Sequence, residues 1–295
     1  MTKRREYRRS PAMLRSPAML RSHPGDPVKA PLVPAKAGPR ITNSDPVALD
    51  SRLRENQRER RGESHVANAV DPGALYRLMA WLSPAYPIGA FSYSSGIEWA
   101  VEVGDISDGE TLRGWLEVMV GAGTGFCDAV FLVHAYRAVI DADDAGLRAA
   151  AELAAVFASS KERHLETAAQ GQAFVEMTRA AWPTRALDRL LAVWDGAMAL
   201  PVAVGVTGAG HNVPLASLVN AYLQALAANL ISAGVRLVPL GQTEGQRLLA
   251  RLQPLVVATA TRALASALED VGGAAFRADI ASMRHETQYT RLFRS

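Results

Sequence analysis

Cysteine is nearly missing from this chain. A single residue, Cys127, stands among 295, which excludes an intramolecular disulfide framework and fits a reducing compartment. Long apolar runs are missing too. No stretch of 18 or more consecutive apolar residues occurs, so no membrane span is expected. The N-terminus lacks the apolar core and cleavage site of a secretory signal. Period-two alternation is missing, and alanine and leucine outnumber β-branched residues, so strands are not expected. Basic character is missing from most of the chain. Of 32 Lys/Arg and 29 Asp/Glu, 15 and 7 lie within residues 1–66, which leaves 17 and 22 for the rest. The net charge of +3 therefore hides a mildly acidic body unsuited to a nucleic-acid groove.

The usual chemical constellations are also absent. Gly121-x-Gly-x-Gly125 joins two helical stretches with no strand before it, whereas a dinucleotide fingerprint needs a βαβ setting. The run from Gly205 to Gly210 is followed by His211, not by the lysine and hydroxyl that hold phosphate and Mg²⁺. No histidine has a His or Cys partner three or four residues away. Cys127 and His134, seven apart, are better read as helix packing than as ligands. Ser92, Ser94 and Ser95 do not form a nucleophile elbow. No catalytic residue and no tightly bound metal or cofactor is expected.

What is present is helix. Residues 1–70, with the repeat SPAMLR-SPAMLR and many Pro and Arg, read as a disordered basic extension. Order is expected from Asp71, a cap followed by Pro72 at the first helical position and a stripe of Leu75, Leu78, Met79 and Leu82. Ser83–Ala90 reads as a rigid loop. Ser95 with Glu98 reads as a capping box that opens the next helix. Further helices follow to Trp182. Two shorter ones cover 185–208, and Gly208–Asn212 reads as a loop. Leu215, Leu218, Val219, Tyr222, Leu223, Leu226 and Leu230 make one apolar stripe. Their helix is about 35 Å long at 1.5 Å per residue, and the others are expected to pack around it. Pro239 and Gly241 stop it, and Pro254 is expected to kink the next. Gly272–Gly273 is a hinge before a tail at about 274–295. The expectation is an all-α single domain over residues 71–295, with about ten helices around one long central helix.

Three stretches go further. Residues 83–104, SPAYPIGAFSYSSGIEWAVEVG, resemble the first signature of the UreF family of urease accessory proteins. Residues 234–247, GVRLVPLGQTEGQR, are similar to its second, and 280–295, IASMRHETQYTRLFRS, to its C-terminal end. The resemblance covers roughly 71–295. It implies an all-helical homodimer with no catalysis of its own. Such a protein acts in the cytoplasm, away from nucleic acid and membrane, binds UreD (UreH in some systems) and recruits the GTPase UreG to apo-urease for nickel insertion. Nickel is then handled by the assembly. Pro87, Phe91, Ser92, Tyr93 and Glu98 of the first stretch and Arg236 and Gln242 of the second become candidate partner-binding residues. So do His285, Glu286, Tyr289, Arg291, Leu292 and Phe293 of the tail, which is expected to order on the UreD-type partner rather than on its own body. The alternative is a GTPase-activating or fidelity role toward UreG, with Arg163, Arg236 or Arg291 as the inserted arginine.

Overall fold

The computed structural model describes residues 71–295, so the expected disorder of 1–70 lies outside the described residues. Among the described residues eleven α-helices follow one another. They are α1 (Pro72–Trp81), α2 (Ile97–Glu102), α3 (Gly109–Ala122), α4 (Thr124–Ile140), α5 (Asp144–Val156), α6 (Lys161–Ala181), α7 (Arg185–Val193), α8 (Leu200–Gly210), α9 (Leu215–Leu237), α10 (Gln242–Ala265) and α11 (Phe276–His285). No strand occurs among the described residues. The all-α reading holds.

Helix starts follow side-chain chemistry. Asp71 Oδ2 accepts the Ala74 N–H at 2.9 Å with Pro72 in the first turn. Asp108 and Thr111 form a reciprocal capping box on α3. Ser160 Oγ accepts the Arg163 N–H at 3.0 Å to open α6. Each satisfies an N–H that the helix itself leaves unpaired.

The centre of the body is not the helix the periodicity favoured. The α4 helix buries residues on every side, among them Phe126, Val130, Phe131, Leu132 and Val133, and α8 buries Pro201 through Ala209 without interruption. These two pack along each other as the core pair. The α9 helix buries Leu218, Val219, Tyr222, Leu223 and Leu230 of its stripe but leaves Ala216, Gln224, Ser232 and Arg236 exposed. It covers one side of the core. A strongly one-sided helix belongs at a surface, and a helix apolar all round belongs inside.

Other expectations shift similarly. On α1 the buried residues are Ala74, Leu78 and Trp81, whereas Leu75 and Met79 are exposed. Trp81 sets the orientation by packing edge-on against Trp182 at 6.0 Å between ring centroids. Gly208–Gly210 is not a loop but the last turn of α8. Pro254 sits inside α10, which runs on to Ala265. Two stretches, Gly109–Ile140 and Leu215–Leu237, have the length and apolar content of membrane spans, yet 78% and 50% of their most apolar windows are buried in the body. Their apolar surface serves the core.

The α4–α8 contact depends on Gly205. A Cβ placed there would lie 2.5 Å from the Leu132 carbonyl oxygen, a backbone atom that cannot rotate away. Gly205→Ala should force the two core helices apart and cost about 1–3 kcal/mol, as overpacking does. Urea unfolding monitored by far-UV circular dichroism measures it, and an unchanged midpoint would contradict the close approach.

Candidate functional site: a clasped C-terminal tail

The three stretches that carry the family resemblance meet at one seam. The loop after α1 ends in a 3-10 turn at Ala90–Ser92, and its last residues then run alongside the end of the tail. Arg294 N donates to Ser92 O at 2.8 Å, and Ser94 N donates to Ser295 O at 2.7 Å. Ser94 Oγ donates to the same Ser295 oxygen. The second stretch joins through Arg236, whose guanidinium stacks 4.3 Å from the centre of the Phe293 ring, a cation–π contact.

Glu98 organises the seam. Its Oε1 accepts the Leu292 N–H at 2.6 Å, and its Oε2 accepts the Phe293 N–H at 2.9 Å. The same Oε2 lies 3.0 Å from His285 Nε2. The other ring nitrogen, Nδ1, lies 2.6 Å from Glu162 Oε2, and Arg291 Nη1 donates to Glu162 Oε1 at 2.9 Å. Glu286 accepts the Lys161 N–H at the N-terminus of α6, where the helix dipole favours an anion. Gln288 donates to Glu102.

The expected capping box at Ser95 and Glu98 is therefore absent. Gly96 takes the cap position with φ +83°, and the Glu98 N–H goes to Ser94 Oγ. Ser95 Oγ instead donates to Glu166, 71 residues away. Gly96 is needed twice over, for its left-handed backbone and because a Cβ would stand 2.6 Å from Ser282 N on α11.

Beneath the seam lies a second ionic layer. Glu166 accepts from Ser95 Oγ and Ser295 Oγ, each at 3.0 Å, and Arg163 reaches it at 3.5 Å. Arg163 Nη2 donates to Asp128 Oδ2 at 2.7 Å, and Tyr222 OH donates to the same oxygen at 2.9 Å. Burial pushes the Asp128 carboxyl above the ordinary carboxylate range, and Arg163 opposes that rise. Burial works against the Arg163 charge, but Asp128 and Glu166 outweigh it and hold the guanidinium protonated. Burial, with the Asp128 charge beside it, pushes the Tyr222 phenol well up. A cavity of about 230 Å³ opens between the 83–91 loop and α9, walled by Tyr86, Phe91, Phe174 and Leu226 over this ionic floor. Among the described residues no group of three or more His, Cys, Asp or Glu side chains has metal-holding geometry.

These placements sort the candidate residues. Ser92, Glu98, Arg236, His285, Glu286, Arg291, Leu292 and Phe293 take part in the seam. Tyr93, Glu98, His285 and Phe293 are buried, so they build the surface rather than form it. Phe91, Tyr289 and Leu292 are exposed. Pro87 and Gln242 are exposed and make none of the seam's hydrogen bonds. The backbone of 292–295 finds its hydrogen-bond partners on its own body. Arg163 is sealed between two carboxylates and is no free arginine finger. Sequence reasoning missed Glu162, Glu166 and Asp128. A lone carboxylate within the apolar run of α4, and glutamates four apart just after a serine cap, were the available signals.

The comparisons with known proteins point one way. The UreF family model matches residues 106–253. The chain is 61% identical over 228 residues to "Urease accessory protein UreF" of Rhodopseudomonas palustris strain BisB18, covering 77% of this chain and 95% of that relative. It is 59% identical over 237 residues to the protein of the same name from Bradyrhizobium sp. strain BTAi1, covering 80% and 98%. With half the chain matched by the family model and nearly the whole of these relatives covered, the chain belongs to the UreF family of urease accessory proteins.

Proposed function

We propose that this protein is a scaffold for nickel delivery to urease. As a cytoplasmic homodimer it binds the UreD-type partner (UreH in some systems), and the pair recruits the GTPase UreG to apo-urease. The chain performs no catalysis and binds no nickel tightly; the metal is cargo of the assembly. The observation that carries this reading is the outer surface of the clasped tail. Phe276, Ile280 and Met283 fall at i, i+4 and i+7 on α11 and are all exposed, and Tyr289 and Leu292 in the tail beyond the helix are exposed as well. The buried side of these segments is pinned by hydrogen bonds, so the exposed side is preorganised. Apolar and aromatic anchors on a rigid support are what protein interfaces use.

The test is co-purification of the full chain with the UreD-type partner, followed by addition of UreG and mass measurement by size exclusion. The double substitution Tyr289→Asp and Leu292→Asp should abolish the first complex while the urea midpoint stays within about 0.5 kcal/mol of wild type, as surface changes do. Undiminished complex yield would remove the tail surface from the reading.

A further inference from the structure

His285 is fully buried, and both ring nitrogens face carboxylate oxygens, at 2.6 Å on Glu162 and 3.0 Å on Glu98. An ionised carboxylate only accepts hydrogen bonds, and a neutral imidazole carries a single N–H. With both carboxylates ionised, both contacts are hydrogen bonds at once only when the ring holds two protons. A ring with one proton would set a lone pair against a carboxylate oxygen inside the protein, where an unpaired polar contact is costly.

The charged groups around the ring come from three elements. Glu98 approaches from α2 and Glu162 from α6. Arg291, on the tail itself, occupies the second oxygen of Glu162. Glu102 on α2 is engaged by Gln288, Glu166 on α6 by Ser95, Ser295 and Arg163, and Glu286 by the Lys161 N–H. Two carboxylates therefore face the ring, and one of them is shared with an arginine.

We propose that His285 is a proton-dependent clasp. A bound proton lets the ring tie α2 to α6 at the point where the tail leaves α11, and this fixes residues 286–295 and the display of Tyr289 and Leu292. The proposal rests on the tail being a partner surface, but the clasp itself can be tested without a partner. Its sign follows from the geometry. The docked tail favours the ring with two protons, so docking takes up a proton, is strongest on the acid side and weakens as pH rises. His285 thus acts as a positioning residue.

The experiment uses the full chain with ¹⁵N-labelled histidine, over a series from about pH 5 to 8, where an ordinary histidine changes charge. The ring ¹⁵N shifts of His285 should show both nitrogens protonated at the acid end. Hydrogen-exchange protection of tail amides, taken relative to an unstructured peptide of the same sequence, should fall with rising pH by up to about tenfold per unit, the limit for one proton. In His285→Gln that slope should vanish. A ring with one proton throughout the series, or the same slope in His285→Gln, would overturn the clasp. If His285→Gln fails to fold, the ring shifts of the wild-type chain decide alone. Capture of the UreD-type partner at both ends of the series separates the two readings: equal capture while tail protection changes overturns the tail as partner surface and leaves the clasp standing.

Discussion

Glu98→Ala should release the tail. The wild-type carboxylate accepts the Leu292 and Phe293 N–H groups and His285 Nε2. Alanine leaves all three without that acceptor in a buried place. Removing one partner of a buried charge-assisted network costs about 3–5 kcal/mol, because the groups left behind bear the full desolvation penalty. For a domain of this size each kcal/mol lowers Tm by about 2–4 °C, so the drop should be easy to resolve. Thermal unfolding gives the total, and hydrogen exchange of residues 286–295 locates it. Glu98→Gln is the informative companion. It keeps the shape and one acceptor oxygen but turns an NH₂ toward groups that are donors, so it should recover only part of the loss. If Glu98→Ala leaves both Tm and tail protection unchanged, the seam does not hold the tail.

Arg163→Ala should be comparably severe, and its cost should depend on pH. Arg163 neutralises Asp128 and supports Glu166 in a nearly dry layer. Without it, Asp128 keeps only the Tyr222 hydrogen bond, and the expected loss is again about 3–5 kcal/mol near neutral pH. Burial already raises the Asp128 carboxyl and Arg163 counters the rise, so the substitution raises it further. A carboxyl raised in the folded state is fully accommodated below its unfolded value, about 3.9, and lowers stability as pH climbs through the folded value. The gap between Arg163→Ala and wild type should therefore be smallest on the acid side and widen upward from about pH 4. Adding Asp128→Asn should restore part of the stability, since the buried charge is gone. Urea midpoints across a pH series measure this. A gap independent of pH would mean that Arg163 contributes packing rather than charge.

The helical class was open to a sequence reading because it rests on short-range signals. The Asp71–Pro72 start and the apolar spacing along α9 and α10 need only neighbours within a turn or two. Helix order and most boundaries followed to within a few residues. Family membership was legible for a related reason, since three separated stretches keep their residue types in order. Centrality was not legible. The α9 stripe stood out because half of that helix faces away from the core, while α4 and α8 are buried all round and show no such contrast.

The site divides along the same line. The sequence by itself determined which residue types were in play: a histidine, two glutamates and two arginines in stretches otherwise made of turns and caps. It also determined the class of fold and the family. Only the tertiary structure decided that Glu98 serves a tail nearly two hundred residues onward instead of its own helix cap, and that Ser95 serves Glu166. It alone decided that His285 and Phe293 are buried in the seam while Tyr289 and Leu292 are exposed beside them. The physical reason is that a hydroxyl or carboxylate pairs with whichever partner lies within about 3 Å in a good direction. Along a helix that partner is set by sequence spacing, but across a packed seam it is set by where distant segments come to rest.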